Sequence, residues 1–134
     1  MAKASFDTER REFVRLRENV SVNYRFLAQA EGDRRPGLGR TETGKTRNIS
    51  GGGLLLMGRI PDPAWIPELL MRKIVVGVSL VLPEGPVEAI TRVSWIEGIQ
   101  GKANLSAMGL MFREITREDQ DRIFRYVIRS QMPK

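Results

Sequence analysis

The sequence predicts a small, mainly β domain: an antiparallel β-barrel completed by one C-terminal α-helix. Two observations predict this class. Apolar and polar residues alternate with a period of two through most of the chain, which is the pattern of half-buried strands. A helical period of apolar residues appears only near the C-terminus, after the last predicted strand. The length of 134 residues suits a single domain with one core.

The first strand is predicted at residues 20–28, where every second residue is apolar: Val20, Val22, Tyr24, Phe26 and Ala28. Residues 31–44 then predict a long polar loop, because glycine, proline and charged residues dominate there. Two short strands at residues 46–49 and 53–57 are predicted to reverse sharply at the intervening glycines. A proline-rich connection follows, and no role is assigned to the tryptophan that it contains, Trp65.

Three further strands are predicted downstream, at residues 76–82, at residues 87–95 and around Leu110 and Phe112. Strict alternation in the second of these puts Trp95 on the same face as Val93, which is consistent with a core tryptophan.

The C-terminal helix is predicted to begin after Thr116, whose hydroxyl can cap the first turn with Asp119 three residues later. Its apolar stripe has helical spacing and comprises Ile123, Phe124, Val127 and Ile128. We expect the helix to cover an opening or an edge of the barrel.

Composition excludes most enzyme classes. The chain has neither cysteine nor histidine, so thiolate and imidazole nucleophiles, disulfides and Cys/His metal sites are unavailable. The neighbouring carboxylates Glu118 and Asp119 fall at the start of the predicted helix, where they complement its dipole without any catalytic role. We therefore expect a protein that is not an enzyme and has no catalytic residues, metal or cofactor.

No membrane or export segment is predicted. The first 13 residues lack the apolar region of a secretion signal, and the longest apolar run, residues 74–82, is too short to span a bilayer. We expect a soluble cytoplasmic protein. Its 22 Lys and Arg residues outnumber 16 Asp and Glu residues, which gives a net charge of +6 and favours anionic partners.

Two phosphate-binding patterns follow one another between residues 39 and 56. The first matches the P-loop pattern through Gly39, Gly44, Lys45 and Thr46. A P-loop needs a strand before it and a helix after it, so that backbone amides and the helix N-terminus can hold the phosphates. Here a polar loop precedes the pattern and a glycine cluster follows it, so we interpret Lys45 and Thr46 as loop and strand-entry residues.

The second pattern has an N-terminal partner. Asn48, Ser50 and Gly53 have the spacing N-x-S-x-x-G, and Arg11 and Arg15 form R-x-x-x-R before the first strand. Two guanidinium groups at this spacing can close around one anion. Asn48 and Ser50 are two positions apart, so on a strand their side chains project from the same face. Each motif alone is weak, because charged termini and glycine turns are common.

Together, and in this order, the two motifs resemble the signature of the PilZ domain family, the bacterial receptors for cyclic di-GMP. Arg11, Arg15, Asn48, Ser50 and Gly53 match the signature. The resemblance continues through the stretches RVSW and MGLMF and the final helix, and so covers nearly the whole chain. It implies a six-stranded PilZ-type barrel over residues 19–134, preceded by an N-terminal arm, residues 1–18, that carries the arginine motif.

The resemblance also implies roles for individual residues. Arg11 and Arg15, with Arg10 as an auxiliary, would bind phosphates and guanine edges; Asn48 would accept hydrogen bonds from guanine. Ser50 would bond phosphate or base, Gly53 would give the ligand clearance, and Trp95 would lie beside it.

The implied function is a second-messenger receptor that changes conformation on binding cyclic di-GMP and signals to an unidentified protein partner, as a monomer or homodimer. We expect residues 5–17 to be mobile without ligand and to become ordered with it. Two alternatives remain open: a basic barrel that binds RNA or single-stranded DNA, which the scarcity of aromatic residues disfavours, and a PilZ-like interaction module that binds no nucleotide.

Overall fold

The computed structural model describes residues 20–99, 101–102 and 104–131. Within these residues six strands form a closed antiparallel barrel in the order β1-β2-β3-β6-β5-β4. The strands are β1 (Ser21–Ala28), β2 (Glu42–Ile49), β3 (Gly53–Gly58), β4 (Ile74–Leu82), β5 (Gly85–Gly98) and β6 (Ser106–Glu114). A single 3₁₀ turn (Pro63–Trp65) leads into the short helix α1 (Ile66–Leu70), and α2 (Arg117–Gln131) follows the last strand. The predicted fold class is confirmed.

The barrel has an upper end, where β1, β3 and β5 begin, and a lower end, where those strands finish. Alternate residues of each strand point inward and form one core, as the period-two pattern predicts. Trp65, which had no predicted role, is 2% exposed and packs against Phe26 with ring centroids 5.5 Å apart. Phe26 in turn makes an edge contact with Tyr24 at 5.7 Å, so aromatic rings fill the lower half of the barrel.

Helix α2 covers the upper end. Thr116 caps its first turn as predicted, because its Oγ1 accepts a hydrogen bond from the Asp119 N–H at 3.1 Å. Gln120 Nε2 donates to the Gly51 carbonyl at 2.8 Å, which fixes the helix to the turn between β2 and β3. The predicted apolar stripe is only half right: Ile123 and Val127 are buried in the core, whereas Phe124 and Ile128 are 48% and 59% exposed. The upper end of the barrel therefore buries two of the four residues in the predicted stripe.

The long loop between β1 and β2 is shorter than predicted, because Glu42, Thr43 and Gly44 already belong to β2 and pair with β1. The loop packs over the lower end: Leu38 contacts the core, and the Gly39 N–H donates to the Phe26 carbonyl at 2.9 Å. Arg35 pairs with Asp33 within the loop and with Glu68 of α1, and the second ion pair ties the loop to that helix. The loop therefore lies at the opposite end of the barrel from Asn48 and Ser50.

Candidate functional site

A groove of about 300 Å³ lies on the outer face of four adjacent strands, β2, β3, β6 and β5. Its lining includes four of the residues predicted from the sequence motifs: Asn48, Ser50, Gly53 and Trp95. These residues come from three separate strands and one turn, and the barrel brings them together on one surface. The groove also has residues that the motifs did not indicate, among them Leu55, Ser94, Gly109 and Met111.

One transverse row of the barrel connects the two sides of the groove. Asn48 pairs with Leu55, Leu55 with Gly109, and Gly109 with Trp95, so the four residues lie side by side across four strands. Both ends of this row have a β-bulge, at residues 46–48 in β2 and at residues 93–95 in β5. Bulges insert an extra residue and redirect the neighbouring side chains, and they are frequent beside functional sites.

The bulge in β5 decides the orientation of Trp95. Val93 is 2% exposed and points into the core, whereas Trp95, two residues later, is 44% exposed on the outer face. Strict alternation would have placed both side chains on the same face, but the extra residue Ser94 shifts the register. The tryptophan is therefore a groove residue rather than a core residue. The sequence shows no glycine or proline that would have revealed the bulge.

The indole of Trp95 lies with its face on Gly109. A Cβ built at Gly109 would be 2.1, 2.5 and 2.6 Å from the indole atoms Nε1, Cε2 and Cδ1. Distances this similar place the ring face, and not its edge, over the glycine. The absence of a side chain at Gly109 lets the ring lie close to the strand, and the opposite face of the ring is available for stacking with a flat ligand.

Asn48 and Ser50 form the other side of the groove. Among the described residues the carboxamide of Asn48 has no hydrogen-bond partner, although the side chain is half-buried. Ser50 lies just beyond the end of β2, so its orientation follows from a turn and not from strand alternation. Its Oγ accepts from the Gly52 N–H and donates to the Gly53 carbonyl, both at 3.3 Å, and its own N–H donates to the same carbonyl at 2.9 Å.

The fold itself requires glycine at position 53. A Cβ at this position would lie 2.0 Å from the carbonyl oxygen of Leu110 in β6, a distance that no side chain tolerates. The close approach of β3 and β6 thus requires glycine even in the absence of a ligand. That Gly53 also gives a ligand clearance remains a prediction.

The P-loop pattern does not form a phosphate-binding loop. Lys45 and Thr46 both lie within β2, and no helix follows them before β3. Thr46 is fully buried, and its Oγ1 accepts a hydrogen bond from the Val20 N–H at 3.2 Å. A hydroxyl used in this way is unavailable to magnesium or phosphate.

The predicted arginines Arg10, Arg11 and Arg15 lie outside the described residues. The described residues around the groove still include basic side chains: Arg47, exposed in the β2 bulge beside Asn48, and Arg92 on β5. In the part of the chain that the structure describes, no group of three or more His, Cys, Asp or Glu residues is placed to hold a metal ion. Neither do these residues include a helix with the length and apolar character to cross a bilayer.

Comparison with known proteins identifies the fold. The model of the PilZ domain matches residues 9–129. The Bacillus subtilis inhibitor of motility (MotI/DgrA) is 21% identical with a TM-score of 0.59, over 88% of this chain and 49% of its own. The PilZ domain of CeSA from a cellulose-synthesizing bacterium is 15% identical with a TM-score of 0.51, over 88% of this chain and 98% of its own.

A third similar structure is the complex of MrkH from K. pneumonia with c-di-GMP, which is 20% identical with a TM-score of 0.56, over 87% of this chain and 48% of its own. This chain therefore spans about half the length of MotI and MrkH. At these identities the structural likeness shows the fold. Among curated proteins, none matches this chain.

Proposed function

We propose that this chain, which belongs to the PilZ domain family, is a receptor for cyclic di-GMP. The observation that carries the proposal is the row Asn48, Leu55, Gly109 and Trp95, which joins a signature residue and an aromatic platform in one groove. A structural relative, MrkH, has been solved in complex with this ligand. PilZ domains are receptor and adaptor modules rather than catalysts, and we propose the same for this chain.

The chemistry of the groove suits a guanine nucleotide. The open face of Trp95 can stack on a base, an interaction worth about 1–3 kcal/mol per base. The carboxamide oxygen of Asn48, which has no partner among the described residues, can accept hydrogen bonds from the N1–H and N2–H₂ groups of guanine. Ser50 can add a hydroxyl contact, and Arg11 and Arg15 would neutralise the two phosphates and bind base edges.

The entry of the chain into the barrel is compatible with this assignment. Val20, immediately before β1, is held at Thr46, two residues from Asn48: its carbonyl accepts from the Thr46 N–H at 2.9 Å, and its N–H donates to Thr46 Oγ1 at 3.2 Å. Arg15 is five residues before Val20 in the sequence, and five residues span at most about 17 Å. The arginine motif is therefore within reach of the groove without any rearrangement of the barrel.

Isothermal titration calorimetry tests the proposal, since it gives both affinity and stoichiometry. We expect cyclic di-GMP to bind with a Kd in the micromolar range or below, about 8 kcal/mol of binding free energy or more. GMP and cyclic di-AMP should bind much more weakly. No binding of cyclic di-GMP would favour an interaction module without nucleotide, whereas comparable affinity for an arbitrary RNA oligonucleotide, with steep salt dependence, would favour a nucleic-acid-binding barrel.

The effector step is a further part of the proposal. Arg11 and Arg15 lie in a segment with several like charges, and a dianionic ligand would cancel their repulsion and hold them against Asn48 and Ser50. This change would present a new surface, including Phe13 and Val14, to a protein partner. Trypsin cleaves after arginine, so saturating ligand should slow cleavage within residues 10–17 several-fold. Equal cleavage rates with and without ligand would show that the signal leaves by another route.

A further inference from the structure

Arg92 lies on the same outer face as the groove, in the outward-facing row that follows the row of Trp95. It pairs with Met111 in β6, and Met111 pairs with Gly53 in β3. Neighbouring strands are about 4.8 Å apart, so the Cα of Arg92 lies about 10 Å across the surface from Gly53. Nothing in the two sequence motifs indicates this arginine.

The guanidinium of Arg92 is directed over β6 toward the groove. Its Nη2 is 3.7 Å from Sδ of Met111, a side chain that lines the groove. Three other arginines in the described part of the chain are paired with carboxylates: Arg35 with Asp33 and Glu68, Arg122 with Asp119, and Arg129 with Glu84. Most of the described arginines have no such partner, and Arg92 is one of them. Arg92 has no carboxylate partner among these residues, and a thioether is a weak acceptor. Its donors therefore remain available to a ligand.

Trp95 lines one side of the groove, and Arg92 lies just outside the lining residues, against the groove residue Met111. The indole lies over Gly109, and the guanidinium lies at Met111, two residues further along β6. A base stacked on the indole would have one of its edges next to the guanidinium. Arginine donates two hydrogen bonds to the O6 and N7 atoms of guanine, whereas adenine presents an amino group in place of O6.

We infer that Arg92 is a specificity-determining residue, which binds the O6 and N7 edge of a guanine stacked on Trp95. This inference rests on the proposed function and extends it to a residue outside the signature. Asn48, on the opposite side of the groove, would accept hydrogen bonds from guanine N1–H and N2–H₂. The two sides would thus recognise guanine by different edges.

The test compares two ligands on each protein: cyclic di-GMP and its 7-deaza analogue, in which carbon replaces N7 of both bases. Wild-type protein should bind the analogue roughly tenfold more weakly, because a charge-assisted hydrogen bond is lost. Arg92→Ala should weaken binding of cyclic di-GMP. For this variant the ratio of the Kd of the analogue to the Kd of cyclic di-GMP should be at least about threefold smaller than the same ratio for wild-type protein. Arg92→Lys keeps the charge and loses the fork, so its ratio should also fall.

Arg25→Ala is the matched control, because Arg25 is an exposed arginine on β1, outside the four strands of the groove. It should retain the wild-type ratio. An unchanged ratio in Arg92→Ala, even with weaker binding of both ligands, would overturn the inference while leaving cyclic di-GMP binding established. Absence of wild-type binding would overturn the proposed function and the inference together. Should Arg92→Ala fail to fold, the ratio measured for Arg92→Lys decides.

Discussion

Replacing Tyr24 by phenylalanine removes a hydroxyl that links β1 to the end of β3. The phenol donates to the Arg59 carbonyl at 2.8 Å and accepts from the Arg59 N–H at 2.6 Å. The ring is 1% exposed, and burial raises its pKa to about 12, while the hydrogen bond to the Arg59 backbone acts in the opposite direction. The mutation therefore leaves two backbone groups without their partner, and it also removes a group whose protonation is coupled to folding.

The size of both effects follows from these contacts. At pH 8, loss of the two hydrogen bonds should lower the free energy of unfolding by about 2 kcal/mol. The folded pKa exceeds that of an unfolded tyrosine, about 10, so the neutral form stabilises the fold fully below pH 10 and this contribution is lost as pH rises toward 12. At pH 11 wild-type protein should have lost about 1.4 kcal/mol through this residue, whereas Tyr24→Phe loses nothing by this route.

Urea denaturation of both proteins at pH 8 and pH 11 measures the effect, with tryptophan fluorescence as the signal. The difference between wild type and Tyr24→Phe should shrink from about 2 to about 0.6 kcal/mol, because other titrating groups are common to both proteins and cancel. A difference that stays constant with pH would refute the argument that burial raises this pKa. The affinity for cyclic di-GMP at pH 8 should stay within about twofold of wild type, because Tyr24 points inward and the groove is on the outer face.

Three further predictions concern the groove. Trp95→Ala should weaken binding of cyclic di-GMP by about 1–3 kcal/mol in calorimetry, and wild-type affinity in this variant would rule out a stacked base. Gly53→Ala should lower the free energy of unfolding by about 1–3 kcal/mol without ligand, because its Cβ would meet the Leu110 carbonyl at 2.0 Å; unchanged stability in thermal denaturation would contradict this. Arg11→Ala or Arg15→Ala should each cost roughly 2 kcal/mol of binding, and Lys45→Ala less than about 0.5 kcal/mol; the reverse order would revive the P-loop interpretation.

Much of the fold is predictable because strand and helix periods report which residues are buried. The alternation of Val22, Tyr24 and Phe26 placed β1 correctly, and the capping interaction of Thr116 with Asp119 placed the start of α2. Of the predicted site residues that the structure describes, Asn48, Ser50, Gly53 and Trp95 all line one groove. Each sequence motif is local, and the barrel topology brings the local pieces together on one surface; their role in binding a ligand stays a prediction.

The remaining features depend on contacts that have no local signal. The bulge that turns Trp95 outward arises from how β5 pairs with β6, and pairing is not visible in the spacing of Val93 and Trp95. Burial of Trp65 depends on a turn packing against Phe26, nearly 40 positions earlier in the chain. Phe124 lies outside the core, against Gly51 in the turn between β2 and β3, and helical periodicity does not encode this contact. In each case tertiary packing, and not the periodicity of apolar residues, determines whether the side chain is buried.

Some residues of the phosphate-binding patterns and the groove are required for folding, whereas others are expected to matter only for ligand binding. Gly53 is required by the approach of β3 to β6, and Thr46 by the backbone of Val20, so both would be needed in a barrel that binds nothing. Asn48 and Trp95 differ, because the Asn48 carboxamide has no hydrogen-bond partner among the described residues and the Trp95 indole is 44% exposed on the outer face. An interaction module without nucleotide would tolerate substitution of these two residues, whereas a receptor would not. Their mutation, and not that of the signature glycine, therefore distinguishes the two functions.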